Sequence, residues 1–152
     1  MNRIIVTLLI VLFAGSTHAQ SVNDCDWQAS AWNLVEPWEE NSRTFSNGKT
    51  RLALIDTVEP AAAAFHLLIL SPPYGPVGDR QCKTIGLAQG GGFGGIQFQD
   101  LQATYDPAIG LMFDLPVRLY DPETSFTNGA ILHIVLNQAT GEIAADMTLG
   151  GE

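Results

Sequence analysis

His66 is the side chain of this sequence best suited to acid–base chemistry. It interrupts an otherwise apolar run, and Asp56 and Glu59 precede it in a neighbouring predicted hairpin. An imidazole beside a carboxylate is a typical general base, so these three residues would suit a small hydrolase or lyase. A histidine in an apolar strand is more commonly a structural residue that forms a hydrogen bond in the core, and we favour that interpretation.

The sequence gives little support for metal or nucleophile chemistry. No H-x-H, H-x-x-x-H or G-x-S-x-G spacing occurs, and His133, between two apolar residues of a predicted strand, should face outward. Asp24 and Asp26 flank a cysteine and would suit a shared calcium ion. The repeated aspartates of a calcium loop are absent, however, so solvated surface acids are favoured. We therefore predict neither a metal nor a cofactor.

Aromatic residues are the strongest candidates for ligand binding. Trp27, Trp32 and Trp38 lie in an acidic segment, and Tyr74 follows the central predicted strand. Such side chains bring a large contact area to a shallow groove for a sugar, a peptide or an apolar ligand. The favoured alternative is that the indoles cover the open end of the sheet.

Residues 1–19 have the pattern of a secretory signal peptide. Arg3 supplies a positive charge, the apolar run that follows is too short to span a bilayer, and small residues precede a cut between Ala19 and Gln20. Cleavage would leave residues 20–152 as one domain, without a lipid anchor because no cysteine directly follows the cut. The predicted location is the periplasm or the medium, with no membrane insertion after the signal is removed.

The charge of the exported chain disfavours two classes of partner. Of the seven Lys and Arg residues only Arg3 lies within residues 1–19, and all 16 Asp and Glu residues lie beyond them, so the formal charge becomes −10. Nucleic acids and anionic lipid surfaces attract basic proteins, and we expect neither as a partner. Basic, cationic or neutral partners are favoured, such as an envelope protein or a small-molecule ligand.

Cys25 and Cys82 are the only two cysteines. An even pair in an exported protein predicts a disulfide, and closing the intervening loop would stabilise the fold by about 4 kcal/mol if the gain is unfolded-chain entropy. The alternative is a metal or redox pair. It is disfavoured because there is no C-x-x-C spacing and no neighbouring histidine.

Turn signals and alternating apolar residues predict a mostly antiparallel β domain. Asn47-Gly48 fits a two-residue type I′ turn, which would pair Phe45 with Thr50 and Arg43 with Leu52. Residues 63–71 are apolar at nearly every position, which predicts a central strand covered on both faces. Pro72-Pro73 should end it.

The second half of the chain alternates more clearly. The run QGGGFGG at 89–95 predicts a flexible loop, and a phase slip near Gln99-Asp100 predicts a bulge. Pro116 predicts an edge strand or its outer side. A polar loop is predicted at 121–129. Alternation predicts three long strands, at 111–119, 130–136 and 143–149. With a short helix or irregular segment at 26–40, these patterns predict an antiparallel β-sandwich or flattened barrel of about eight strands.

Four stretches of the exported chain carry a resemblance: CDWQASAWNLVEPWEEN, FSNGKTRLALIDTVEP, HLLILSPP, and YDPAIGL with the F and LPV that follow it. They resemble a group of small uncharacterised exported proteins of alphaproteobacteria, and the resemblance covers nearly all of the mature chain. It implies a periplasmic location and a single domain. It implies no activity, so it assigns no catalytic residue.

Three functions are compatible with these patterns. The first, which we favour, is a non-catalytic binding or accessory module of the cell envelope with an unidentified ligand. The second is a small periplasmic hydrolase or lyase that uses His66 with a nearby carboxylate. The third is a component of export or envelope assembly that pairs with its partner through an exposed edge strand.

Overall fold

The computed structural model describes residues 20–150 and folds them into two antiparallel five-stranded sheets. The first sheet has the order β1-β5-β4-β3-β2. Its strands are β1 (Gln20–Asp24), β2 (Ser42–Phe45), β3 (Thr50–Asp56), β4 (Phe65–Tyr74) and β5 (Arg80–Leu87). The predicted signal peptide, residues 1–19, lies outside the described residues.

The second sheet has the order β10-β9-β8-β6, and β7 also pairs with β8. Its strands are β6 (Gly95–Ile96), β7 (Gln102–Asp106), β8 (Gly110–Asp121), β9 (Phe126–Leu136) and β10 (Ile143–Leu149). Helical structure is limited to α1 (Trp38–Asn41) and short 3-10 turns within residues 20–150, and none of these helices is long and apolar enough to cross a membrane. The predicted antiparallel sandwich is confirmed, with ten strands where about eight were expected.

Alternation along the strands builds the core between the sheets. In β8, and in β9 from Ala130 onward, every second residue is buried, as predicted: Leu111, Phe113, Leu115, Val117, Leu119, Ala130, Leu132, Ile134 and Leu136. The first sheet contributes Leu52, Leu54, Leu67, Ile69 and Ile85. Burial of this apolar surface is the main favourable term in folding.

The segment of residues 25–35 covers the outer face of the first sheet. It buries three side chains of the sheet beneath apolar residues of its own, namely Ala53, Ile55 and Leu68 beneath Cys25, Ala29 and Leu34. A disulfide from Cys25 to Cys82 joins the start of the segment to β5, with the two Cα atoms 5.4 Å apart. The predicted disulfide and the predicted central strand with two covered faces are both confirmed.

The β2–β3 hairpin has the predicted register. Phe45 pairs with Thr50 and Arg43 with Leu52. Asn47 and Gly48 have φ values of 54° and 81°, the left-handed conformation that a type I′ turn needs. The turn therefore fixes which face of β3 enters the core.

Polar side chains join the two sheets at their edges. Arg43, on edge strand β2, donates from Nη1 to the carbonyl of Leu101 and from Nη2 to the carbonyl of Gln99, both at 2.9 Å. On the other side Nε2 of Gln20 donates to the carbonyl of Ala145 at 2.9 Å. The sandwich is thus partly closed on both sides, as in a flattened barrel.

Three local predictions are wrong. β4 continues through Pro72 and Pro73 to Tyr74, because a register irregularity removes them from the regular ladder. The phase slip near Gln99 is a 3-10 turn and not a bulge. The β8–β9 ladder extends to the pair Asp121 and Phe126, so the polar loop predicted at 121–129 shrinks to a short turn.

Pro116 lies in the interior strand β8 and not at a sheet edge. β6 pairs with β8 at Val117 and Arg118, β7 pairs with Gly110 to Asp114, and Pro116 lies opposite the gap between them. Its carbonyl accepts the N–H of Gln97 at 2.9 Å. The N–H that proline lacks would face the same gap, so no ladder hydrogen bond is lost.

Candidate functional site

Asp56 and Glu59, the carboxylates predicted to act with His66, accept hydrogen bonds from the backbone of the β3–β4 connection, at 2.7 Å for Asp56 and 3.3 Å for Glu59. Asp56 pairs across the sheet with Phe65, which packs against the core between the sheets. Because side chains alternate along a strand, Asp56 and His66 lie on opposite faces. The structure does not bring the three predicted residues together.

Glycines enclose His66 on the outer face of β4. The histidine is only 5% exposed. A Cβ atom at Gly86 would lie 2.8 Å from Nδ1, and one at Gly92 would lie 2.9 Å from Nε2, closer than real Cβ atoms approach. Only residues without a side chain leave room for the imidazole. Desolvation by burial lowers the pKa of His66, which favours the neutral ring.

The glycine-rich run predicted as a flexible loop is hydrogen-bonded to the β3–β4 connection. Phe93 is fully buried, and its backbone exchanges two hydrogen bonds with Phe65, at 2.7 and 3.1 Å. The N–H of Gly92 donates to the carbonyl of Ala63 at 2.8 Å. Sequence reasoning missed this role because glycine suits a flexible linker and a close backbone approach equally well.

A cavity of about 180 Å³ opens beside His66. Apart from two glycines its lining is polar, and it comprises Asn23, Asp24, Asp26, Gln28, His66, Thr84, Gly90 and Gly91. Thr84, on β5, is 4% exposed. Neither its hydroxyl nor the His66 ring forms a hydrogen bond with the part of the chain that the structure describes. No fully buried side-chain nitrogen or oxygen in that part lacks a partner, so the polar atoms of these two largely buried side chains are reached from the cavity. They mark the cavity as a candidate ligand site.

The charge of this cavity depends mainly on Asp26. Asp24 forms an ion pair of 2.5 Å with Lys83, which offsets its charge. Within residues 20–150 there is no group of three or more His, Cys, Asp or Glu residues arranged to hold a metal ion. With Asp24 paired, the cavity offers the carboxylate of Asp26 and several neutral hydrogen-bond acceptors.

The three tryptophans are more than half exposed on the segment that carries them. Trp27, Trp32 and Trp38 are 57%, 88% and 57% exposed. Residues 24–41 also contain five exposed acids and no Lys or Arg: Asp24, Asp26, Glu36, Glu39 and Glu40. We call these eight residues the tryptophan–acid surface. Cys25, Ala29 and Leu34 cover the sheet, and most of the indole surface stays exposed.

The predicted ligand residues Trp38 and Tyr74 line different cavities. Trp38 borders an apolar slot of about 140 Å³ over β3 and β4, with Arg51 at its rim. Tyr74 lines an open cleft of about 600 Å³ at the end of the sandwich where three hairpin turns meet, together with Tyr105 and Lys49. None of the residues lining that cleft is a His, Cys, Asp or Glu, so its titratable groups are Lys49, Tyr74 and Tyr105.

A chain of polar side chains crosses the outer face of the second sheet. His133 faces outward as predicted, and its Nδ1 lies 2.6 Å from Oδ1 of Asp114. Its Nε2 lies 2.9 Å from Oγ1 of Thr148. The order carboxylate, imidazole, hydroxyl is that of a hydrolase triad. Sequence spacing did not reveal it because the three residues come from three strands.

The comparisons with protein families, curated proteins and solved structures found nothing that matches this chain.

Proposed function

We propose that this protein is a non-catalytic binding module of the cell envelope and that it binds a basic polypeptide through the tryptophan–acid surface. The observation that carries the proposal is that all three tryptophans of the chain are more than half exposed on one acidic segment. The proposed location is the periplasm. The signal-peptide pattern supports it, and so does the disulfide, because such bonds persist in oxidising compartments.

The exposed indoles favour contact with a partner. Burying a large apolar side chain contributes about 1.5–3 kcal/mol, and the fold leaves most of this unused at Trp27, Trp32 and Trp38. Tryptophan is also enriched among the residues that dominate binding energies at protein interfaces. A partner that covers these rings would therefore gain affinity from surface that the chain does not bury itself.

The surface is held in place before any partner arrives. The disulfide fixes residue 25, and the 3-10 turns that carry Trp27 and Trp32 are closed by backbone hydrogen bonds of 2.9–3.3 Å. Further along, the N–H of Val35 donates to the carbonyl of Leu54 on β3 at 3.1 Å. A segment ordered in this way loses less conformational entropy on binding than a free one.

Charge complementarity indicates a basic partner. Asp24 is paired with Lys83, but Asp26, Glu36, Glu39 and Glu40 form no ion pair within residues 20–150. Their charges create a negative field, which attracts cations and accelerates encounter. Lysine and arginine also bind to the faces of tryptophan rings, by about 0.5–1 kcal/mol at exposed sites. Both effects favour a Lys- or Arg-rich polypeptide over a neutral or acidic one.

Binding of an oligolysine peptide tests the proposal. Calorimetric titration of the purified protein at low salt should give saturable binding that weakens as salt is added, whereas an oligoglutamate peptide should not bind. Trp32→Ala should weaken oligolysine binding by about tenfold. Phe126→Ala, which removes a ring that is 73% exposed on the other sheet, is the matched control and should have little effect.

A second comparison separates local recognition from overall charge. Glu39→Gln with Glu40→Gln should weaken binding clearly, whereas Glu123→Gln with Glu142→Gln changes the net charge equally, away from the surface, and should not. Equal losses in the two double variants would show that only net charge attracts the peptide. The proposal would then be wrong.

One observation favours a second function, the hydrolysis of a small activated ester. His133 is within hydrogen-bond distance of both Asp114 and Thr148, so it is placed to take the proton of the Thr148 hydroxyl. The same contacts also suit ordinary cross-strand polar pairs, which stabilise a sheet. None of the cavities described above includes these three residues, so the site has no enclosed place for substrate.

Hydrolysis of p-nitrophenyl acetate distinguishes these roles. A triad predicts a steady-state rate above that of free imidazole, abolished by Thr148→Val and by His133→Gln, with Ser21→Ala as a control on the other sheet. A purely structural pair predicts no such rate and only a change in stability. The alternative of a hydrolase that uses His66 needs a carboxylate bonded to that ring, and none in residues 20–150 forms such a bond.

A further inference from the structure

We infer that the cavity beside His66 binds a primary ammonium group. Two polar side chains that are more than nine-tenths buried, His66 and Thr84, line it and find no hydrogen-bond partner among the described residues. No fully buried side-chain nitrogen or oxygen in residues 20–150 lacks a partner, so the polar atoms of His66 and Thr84 are reached from the cavity. Two such groups in one polar cavity, with the carboxylate of Asp26 beside them, point to a ligand that donates hydrogen bonds.

The acceptors at the cavity match an ammonium group. An ammonium has three donors and no acceptor. Asp26 offers a carboxylate, Thr84 offers hydroxyl lone pairs, and neutral His66 offers one ring nitrogen. The amide nitrogen of Asn23 already donates to Ser21 at 2.9 Å, which leaves its oxygen available as a further acceptor.

Other ligand classes fit less well. An anion would meet Asp26, and the nearby Lys83 is already engaged by Asp24. A metal ion is disfavoured because residues 20–150 contain no group of three side chains arranged to coordinate one.

The cavity adjoins the tryptophan–acid surface. Asp26 and Gln28 line the cavity, and Trp27 stands between them in the chain. A lysine of a bound basic polypeptide and a free small amine present the same ammonium group. Binding of a polypeptide lysine in the cavity rests on the proposed function, whereas binding of a free small amine does not.

The probe for this inference is n-butylammonium chloride, followed by the imidazole resonances of His66 in NMR spectra of the purified protein. We expect a saturable shift of these resonances. Asp26→Asn should weaken binding at least tenfold, whereas Asp100→Asn, an exposed carboxylate near β7, should leave it unchanged. Thr84→Val, which keeps the shape but removes the hydroxyl, should weaken it severalfold.

Tetramethylammonium chloride at equal ionic strength is the control, because this cation donates no hydrogen bond. If it shifts His66 as butylammonium does, or if butylammonium shifts nothing, the inference is overturned. Spectra of the Asp26→Asn and Thr84→Val variants without ligand show that each is folded. A variant that unfolds is replaced by Gln28→Ala, for which a weaker but saturable shift is expected.

A lysine peptide and its Nε-acetylated form separate this inference from the proposed function. If the lysine peptide binds and shifts His66 while the acetylated form does not, both stand. If the peptide binds without moving His66, the proposed function stands and the inference is overturned for that source. If butylammonium binds and the peptide does not, the inference stands with free amines as the source, and the proposed function fails.

Discussion

Gly86 faces the imidazole of His66 across the β4–β5 pair, and a Cβ atom at position 86 would lie 2.8 Å from Nδ1 and 2.4 Å from the carbonyl oxygen of Gly91. Gly86→Ala should therefore destabilise the protein by about 1–3 kcal/mol, because backbone must move to admit the methyl group. Gly129→Ala in β9 is the control, since a Cβ there meets nothing within 4 Å. Urea unfolding of both variants measures the difference. Equal stability would contradict the described packing around His66.

The lowered pKa of His66 predicts how stability changes with pH. In the unfolded chain this histidine takes up a proton near pH 6.5, whereas the folded protein resists protonation because the ring is buried. The unfolded state therefore binds more protons as the pH falls below about 6.5, and the free energy of unfolding decreases there. The contribution of neutral His66 to the free energy of unfolding is fully present above that pH.

The variant His66→Gln should flatten this pH dependence, whereas His133→Gln should retain it. Urea unfolding at several pH values between neutral and mildly acidic measures the slope for each protein. Asp24 and Asp26 line the same cavity, Lys83 is paired with Asp24, and all three remain in both variants, so their contribution cancels in the comparison. A slope unchanged by His66→Gln would contradict the prediction.

Removing the disulfide should loosen the tryptophan–acid surface as well as the fold. The double variant Cys25→Ala, Cys82→Ala should lose about 2–5 kcal/mol of unfolding free energy, the usual effect of deleting a native disulfide from a small domain. Hydrogen exchange at residues 26–35 should accelerate more than exchange in β8 and β9. If exchange rises uniformly over the chain, the bond acts on global stability alone and does not fix the segment.

Quenching of tryptophan fluorescence reports on the surface alone, because the chain contains only three tryptophans and all belong to it. Neutral acrylamide should quench the folded protein nearly as well as the unfolded one, since each indole is more than half exposed. Relative to their effects on free tryptophan, caesium ions should quench the protein more strongly than iodide because of the neighbouring acids. Added inert salt should remove that difference. Weak quenching by acrylamide would show that the rings are covered.

The sequence was most informative where a local rule fixes long-range geometry. Asn47-Gly48 determined the register of β2 and β3, because a two-residue turn permits one pairing of its flanking strands. Alternation identified the buried face of β8 and β9 for the same kind of reason: a period of two assigns every residue to one side. The disulfide followed from there being only two cysteines.

The sequence was least informative where contacts depend on distant backbone. Pro116 is tolerated because two short strands leave a gap opposite it, and no pattern near residue 116 reveals that gap. The close approach of Gly92 to the His66 ring depends on the chain after β5, which returns to β4 and is held there by the hydrogen bond from Gly92 to Ala63. His66 was identified as a candidate from its chemistry, but its neighbours Thr84 and Asp26 could be found only from the fold.

The bond between Cys25 and Cys82 would tie the proposed binding to an oxidising compartment. In a reducing compartment only non-covalent contacts would hold residues 25–35, and the proposed surface would be less rigid there. If the chain is exported as proposed, oxidation after export would complete the surface where its partner is expected, and thiol chemistry alone would limit earlier association.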